Sequence, residues 1–133
     1  FTLLAEGIRK LGLLWVLIQN GTLLNGSILF WDEPETNLNP KLMRTVVEIL
    51  IELQRMGVQL FVSTHNYSLL KEFDLQKSAT DHVLFHSLYR DSMGNIKADS
   101  FTDYEALTPN AIDDAFAGMV DREIQQSMGG LGQ

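Results

Sequence analysis

Cysteine is absent from the 133 residues. That excludes a disulfide framework, a thiolate zinc site and a cysteine nucleophile, and it fits an intracellular, cytoplasmic setting. Basic residues are scarce: 10 Lys and Arg stand against 17 Asp and Glu, a formal net charge of −7. Only Arg9 and Lys10 are adjacent, so the clustered cations that neutralise a nucleic-acid backbone are missing from this segment. Long apolar runs are missing too. The uncharged stretch from Leu11 to Trp31 is broken at Asn20-Gly21 and Asn25-Gly26, whereas a membrane span needs roughly 20 mostly apolar residues. No Gly-x-x-x-x-Gly-Lys-Ser/Thr loop occurs, so the backbone cradle that such a loop offers to phosphates is lacking. With 45% hydrophobic residues, the chain can form one packed domain or part of one.

What is present has a clear order. From Leu3 to Ile18, apolar residues at Leu4, Gly7, Ile8, Leu11, Leu14, Trp15 and Ile18 follow a helical period, predicting a largely buried helix. Ser27 to Trp31 is a short continuous apolar run, the pattern of a parallel strand covered on both faces. Asn39, an N-cap residue type, precedes Pro40 at the first helical position. The following helix carries Leu42, Val46, Ile49, Leu50, Leu53 and Met56, with Gly57 placed to end it. Val58 to Val62 reads as a second buried strand, leading through Ser63-Thr64-His65-Asn66 into a short helix with Leu69, Leu70 and Phe73. Strand, helix, strand, helix is the rhythm of βαβ units.

After Lys77-Ser78-Ala79-Thr80 the pattern changes. Val83, Phe85 and Tyr89 alternate with polar residues, Asp91 to Asn95 forms a turn, and Ile96 to Phe101 returns, predicting a hairpin. Thr108-Pro109 is expected to start a last helix with Ile112, Ala115, Phe116, Met119, Val120 and Ile124 on one face. A loose tail is expected over Gly129 to Gln133.

The chemistry-bearing stretch is Ile28-Leu29-Phe30-Trp31-Asp32-Glu33-Pro34-Glu35-Thr36-Asn37-Leu38-Asn39-Pro40. Two carboxylates close a strand at the carboxyl edge of a parallel sheet, where open α/β sheets bind ligands. Neighbouring carboxylates at a strand end point in different directions, so one can hold a hydrated Mg2+ while the other faces a water. The second strand ends in Ser63, Thr64 and His65 on the same expected edge, and a histidine there can donate to an anionic oxygen.

In this order the residues resemble the C-terminal half of an ABC-type ATPase domain. The branch is the one that holds chromosome-maintenance and DNA-repair ATPases and the AAA-like proteins of bacterial defence systems, rather than transporters. Ile-Leu-Phe-Trp-Asp-Glu is similar to the Walker B strand, which implies Asp32 as the Mg2+-side carboxylate and Glu33 as the base for the attacking water. Glu35 to Pro40 resembles the D-loop that crosses to a partner subunit and would bring Asn37 and Asn39 near nucleotide. Val-Ser-Thr-His-Asn resembles the switch loop, with His65 sensing the γ-phosphate. Leu4-Ala5-Glu6-Gly7-Ile8-Arg9-Lys10 stands at the signature motif, with Gly7 and its neighbouring amides as phosphate contacts. Ala5 replaces the commoner serine, which removes one direct bond.

The resemblance implies a partial P-loop NTPase parallel sheet with flanking helices over residues 1–80, then a hairpin, helix and tail of the same domain over 81–133. It implies ATP and Mg2+ as ligands and a homodimer with ATP at its interface. The phosphate loop and glutamine loop would lie in a missing N-terminal half, consistent with a chain that opens on Phe1 inside a helical pattern. Nucleic acid would be reached through other parts of the full-length protein. This segment alone is expected to be inactive. Two other readings stay open: a nuclease holding two Mg2+ on Asp32, Glu33 and Glu35, and a non-catalytic interaction module. His82 and His86, four apart in an expected strand, read as a half-exposed face rather than a metal pair.

Overall fold

In the computed structural model, residues 2–129 are described, with side chains over 7–128. The expectations for the Leu4, Ala5 and Glu6 side chains and for Gly130 to Gln133 lie outside these residues. The chain folds as two compact units, Phe1–Val83 and Leu84–Gln133.

In the first unit, helix α1 (Thr2–Gln19) leads into strand β1 (Ile28–Asp32). A 3₁₀ turn (Pro40–Leu42) then opens helix α2 (Met43–Arg55). Strand β2 (Gln59–Ser63) and helix α3 (Tyr67–Gln76) follow. β1 and β2 pair in parallel, with Ile28 opposite Gln59 and Asp32 opposite Ser63, so both strands end level. The α/β reading is found, as a two-stranded sheet with helices.

One core joins α1, α2 and one side of the sheet: Leu14, Leu23, Val46, Leu50, Leu53 and Val58 are buried, with Leu29, Trp31, Leu60 and Val62 packed on them. Met43, Val47 and Ile51 of α2 form a second cluster with Leu69 of α3. The apolar spacing predicts a single stripe on α2, but the helix is buried on two sides, against the sheet and against α3. Met56, expected in the stripe, is exposed. Gly57 ends α2 at φ 89°, a left-handed backbone that favours glycine over any residue with a side chain.

Two expectations are corrected. The strands are covered on one face only: Ile28 and Phe61 are exposed, and Phe30 is 73% exposed. The physical reason is that α1, α2 and α3 all draw on the Leu29/Trp31/Leu60/Val62 side. For the same reason α1 is half buried rather than largely buried, with Ile8, Leu13, Trp15 and Val16 outward.

The second unit begins with strands β3 (Phe85–Arg90) and β4 (Ile96–Phe101). They form the expected antiparallel hairpin, with Phe85 opposite Phe101 and Arg90 opposite Ile96. Asp91 closes its turn by accepting from the Met93 and Asn95 amides, each at 2.9 Å. Those bonds, the Asn95 amide foremost, hold its carboxyl below the usual range. The Tyr89 hydroxyl donates to Asp99 at 2.7 Å, which pushes its pKa up. Tyr104 is buried edge-on against Phe85.

Helix α4 (Ala111–Gly129) starts later than the Thr108-Pro109 expectation, because Asn110 accepts from the Asp113 amide as its cap. Phe116, Met119 and Ile124 of its expected inner face are exposed. His82 falls outside the strand, and His86 Nδ1 lies 2.7 Å from Ser100 Oγ.

Candidate active site

The level ends of β1 and β2 bring Asp32, Glu33, Ser63, Thr64 and His65 together. The Ser63 hydroxyl donates across the strand pair to Asp32 Oδ1. Asp32 continues the outward alternation of Ile28 and Phe30 and is exposed on the uncovered face.

Glu33 leaves the strand in the left-handed region, at φ 44°. That conformation costs a non-glycine residue about 1–2 kcal/mol, so its surroundings must hold it there. Its amide donates to the Ser63 carbonyl at 2.9 Å, and its own carbonyl accepts from the Thr36 amide at 3.1 Å. The same carbonyl accepts from Lys10 Nζ of α1 at 3.2 Å, and the Thr36 carbonyl accepts from it at 2.9 Å. The carboxylate is held as well. Oε1 lies 2.6 Å from His65 Nδ1, and Oε2 accepts from Thr36 Oγ1 at 3.0 Å. His65 is 78% exposed and Glu33 39%, so the pair faces solvent while its backbone is fixed.

Glu35, two residues on, has the opposite environment. It is 7% exposed, accepts from the Thr64 hydroxyl, and its Oε2 is buried with no hydrogen-bond partner. Thr64 Oγ1 in turn accepts from the Asn66 amide at 2.9 Å, and Asn66 caps α3 by accepting from the Leu69 amide. Glu35 therefore ties the first loop to the second, and it is buried where Glu33 faces solvent. Among the described residues no group of three metal-capable side chains assembles, and nothing in the geometry adds support to a nuclease reading.

Gly7 is buried against the loop of its own chain. A Cβ there would lie 2.7 Å from Leu38 Cδ2 and 3.0 Å from the Asn37 carbonyl. Asn37 sits at φ 64° and is exposed. Asn39 is spent partly on structure, its Oδ1 accepting from the Lys41 amide at 3.0 Å. Asp32, Glu33 and His65, expected on one edge, stand at the ends of the paired strands, with Glu33 and His65 in contact. Lys10, Thr36 and Thr64 lie within the expected motif stretches, and their individual contacts are not predicted by them. Lys10 lies three residues beyond Gly7, on the same helix face, and that spacing is the signal that could have found it.

A lone outward carboxylate fits Mg2+ as such sites usually hold it, through one or two carboxylates, with waters and substrate phosphates completing the shell. Among the described residues no helix is long and apolar enough to cross a membrane.

Comparison with known proteins bears on residues 1–71, which match the family model described as "AAA domain, putative AbiEii toxin, Type IV TA system". The arginine transport ATP-binding protein ArtM of Bacillus subtilis (strain 168) is 30% identical over 70 residues, 53% of this chain and 27% of that protein. The energy-coupling factor transporter ATP-binding protein EcfA of Methanothermobacter thermautotrophicus is 35% identical over 46 residues, 35% of this chain and 15% of that protein. The chain thus spans about a quarter or less of the length of these relatives. No solved structure matches. The matched stretch is the one that contains α1, both strand ends and their loops, and by it the chain belongs to this AAA-domain family, an ABC/AAA-type ATPase class.

Proposed function

We propose that the carboxyl edge of β1 and β2 binds and hydrolyses ATP in the full-length protein. The observation that carries this reading is Glu33: a solvent-facing carboxylate on a strained backbone held by three hydrogen bonds, 2.6 Å from His65 and beside Asp32. Backbone strain held in place by several bonds is characteristic of positions where geometry serves a reaction.

Phosphoryl transfer asks the protein mainly to position groups and balance charge. Asp32 would hold Mg2+, whose part is to neutralise charge on the phosphate oxygens. Glu33 orients the attacking water and accepts its proton; each carboxylate oxygen keeps a second lone pair after its bond to His65 or Thr36. His65 steadies Glu33 through Nδ1 and presents Nε2 to the γ-phosphate, donating when the ring is doubly protonated. Gly7 lets α1 lie close on the loop that contains Asn37 and Asn39. In this reading that loop and the start of α1 face a second copy across a nucleotide. The phosphate loop is supplied by an N-terminal half, which also covers Ile28, Phe30 and Phe61. The support for that cover is their exposure on an otherwise apolar parallel sheet.

The test is ATP turnover by the full-length protein across a range of Mg2+ concentrations. The parent should hydrolyse ATP, and Asp32→Asn should shift half-maximal turnover to higher Mg2+ by about tenfold or more, the scale of a lost ligand or its support. An unshifted Mg2+ curve would remove Asp32 from the site.

A further inference from the structure

Helix α1 grips the loop after β1 at two points one turn apart. At Gly7 it makes a close approach, with the Asn37 carbonyl 3.0 Å from where a Cβ would stand. At Lys10 it makes a directed contact: one ammonium donates to the carbonyls of Glu33, at 3.2 Å, and Thr36, at 2.9 Å. Those carbonyls belong to the first and last residues of the turn 33–36, which the Thr36 amide closes on the Glu33 carbonyl. Lys10 thereby clamps both ends of the turn whose first residue carries the candidate base.

The choice of side chain matters. An ammonium has three donors on a long flexible stem, so a single group can satisfy two converging carbonyls. A bond from a cation is stronger than one between neutral groups. The contact spans 23 and 26 residues of sequence, so it reports the placement of α1 directly to the backbone of Glu33. Glu33 sits at φ 44°, where a small rotation redirects the carboxylate away from His65 Nδ1.

We propose that Lys10 is a positioning residue for Glu33, converting the placement of α1 into the orientation of the base. This rests on the ATPase reading above. A helix that moves when nucleotide is engaged would then set whether Glu33 is aimed at water.

The test uses steady-state ATP turnover by the full-length protein with Lys10→Met and Lys10→Arg, together with thermal melting. Lys10→Met should lower kcat about tenfold or more while KM for ATP stays within about twofold, the signature of a group needed in the transition state rather than in binding. Lys10→Arg should recover most of kcat, because it restores donors to both carbonyls, and both variants should melt close to the parent. Parent-like kcat in Lys10→Met would overturn the proposal while leaving the ATPase reading intact. Equal losses in both variants with a lowered melting temperature would overturn it in favour of a purely structural tie. Absence of turnover in the parent would instead remove the ATPase reading and the role of Lys10 with it.

Discussion

The two faces of the β1–β2 sheet both carry large apolar residues and meet different fates. Leu29, Trp31, Leu60 and Val62 pack against the helices. Ile28, Phe30 and Phe61 face outward, with Phe30 and Phe61 stacked on each other at 4.8 Å. The covered face is self-sufficient and structural. The open face ends in Asp32 and Ser63, and so leads to the candidate chemistry. The lesson is that apolar patterning in a parallel strand does not by itself say which face its own helices cover: here they cover the Leu29/Trp31/Leu60/Val62 side and leave Ile28, Phe30 and Phe61 exposed.

That contrast can be broken from either side. In the full-length protein, Phe30→Ala should cost about 3–5 kcal/mol in denaturant unfolding, the cost of a buried aromatic. A cost near the ~1 kcal/mol of a lost aromatic pair would mean that the face stays open and that nothing covers it. On the covered side, Leu50→Ala should cost about 2–5 kcal/mol, since Leu50 is fully buried between the sheet and the helices. Gly7→Ala should cost about 1–3 kcal/mol by overpacking Leu38 and the Asn37 carbonyl, and a neutral result would show that α1 can lift off the loop.

The smallest effect is one of pH. The Asp81 side chain is covered and is held by Arg55 through two bonds of 2.8 Å. That contact, then the Ser78 amide, keeps its carboxyl well below the ordinary range, and the Arg55 guanidinium is correspondingly raised. A carboxyl depressed in the folded state adds stability that is complete above its unfolded value, about 3.9, and is lost as pH falls through the folded value. The Asp81 contribution should therefore be constant with pH near neutrality and decline on acidification below about 4. In Asp81→Asn that part of the acid slope should be missing. Because this tie belongs to the self-sufficient side, its effect should not depend on what covers the open face.

Elements with strong local signals were legible in the sequence. The first helix, the two strands and the hairpin stand within about a residue or two of their expected bounds, the usual slack of element ends. The start of the last helix was misplaced because Asn110 outcompetes Thr108-Pro109 as cap. The second stripe of α2, with Met43, Val47 and Ile51, was missed because a single period describes one buried side and this helix has two. In the site, Asp32, Glu33 and His65 were legible because strand ends of parallel neighbours must share an edge. Lys10, Thr36 and Thr64 were not, since their roles depend on which carbonyls and carboxylate oxygens the turns present. Glu33 and Glu35 look alike in sequence, and only the fold separates a solvent-facing carboxylate from a buried one.

That separation offers the most direct measurement: kcat for ATP in full-length Glu33→Gln and Glu35→Gln, side by side with their melting temperatures. The account predicts that Glu33→Gln loses about 100-fold or more in kcat, as for a general base, and melts like the parent. Glu35→Gln should instead melt lower and keep most of its turnover per folded molecule. Turnover indifferent to Glu33, or equal losses from both substitutions, would contradict it.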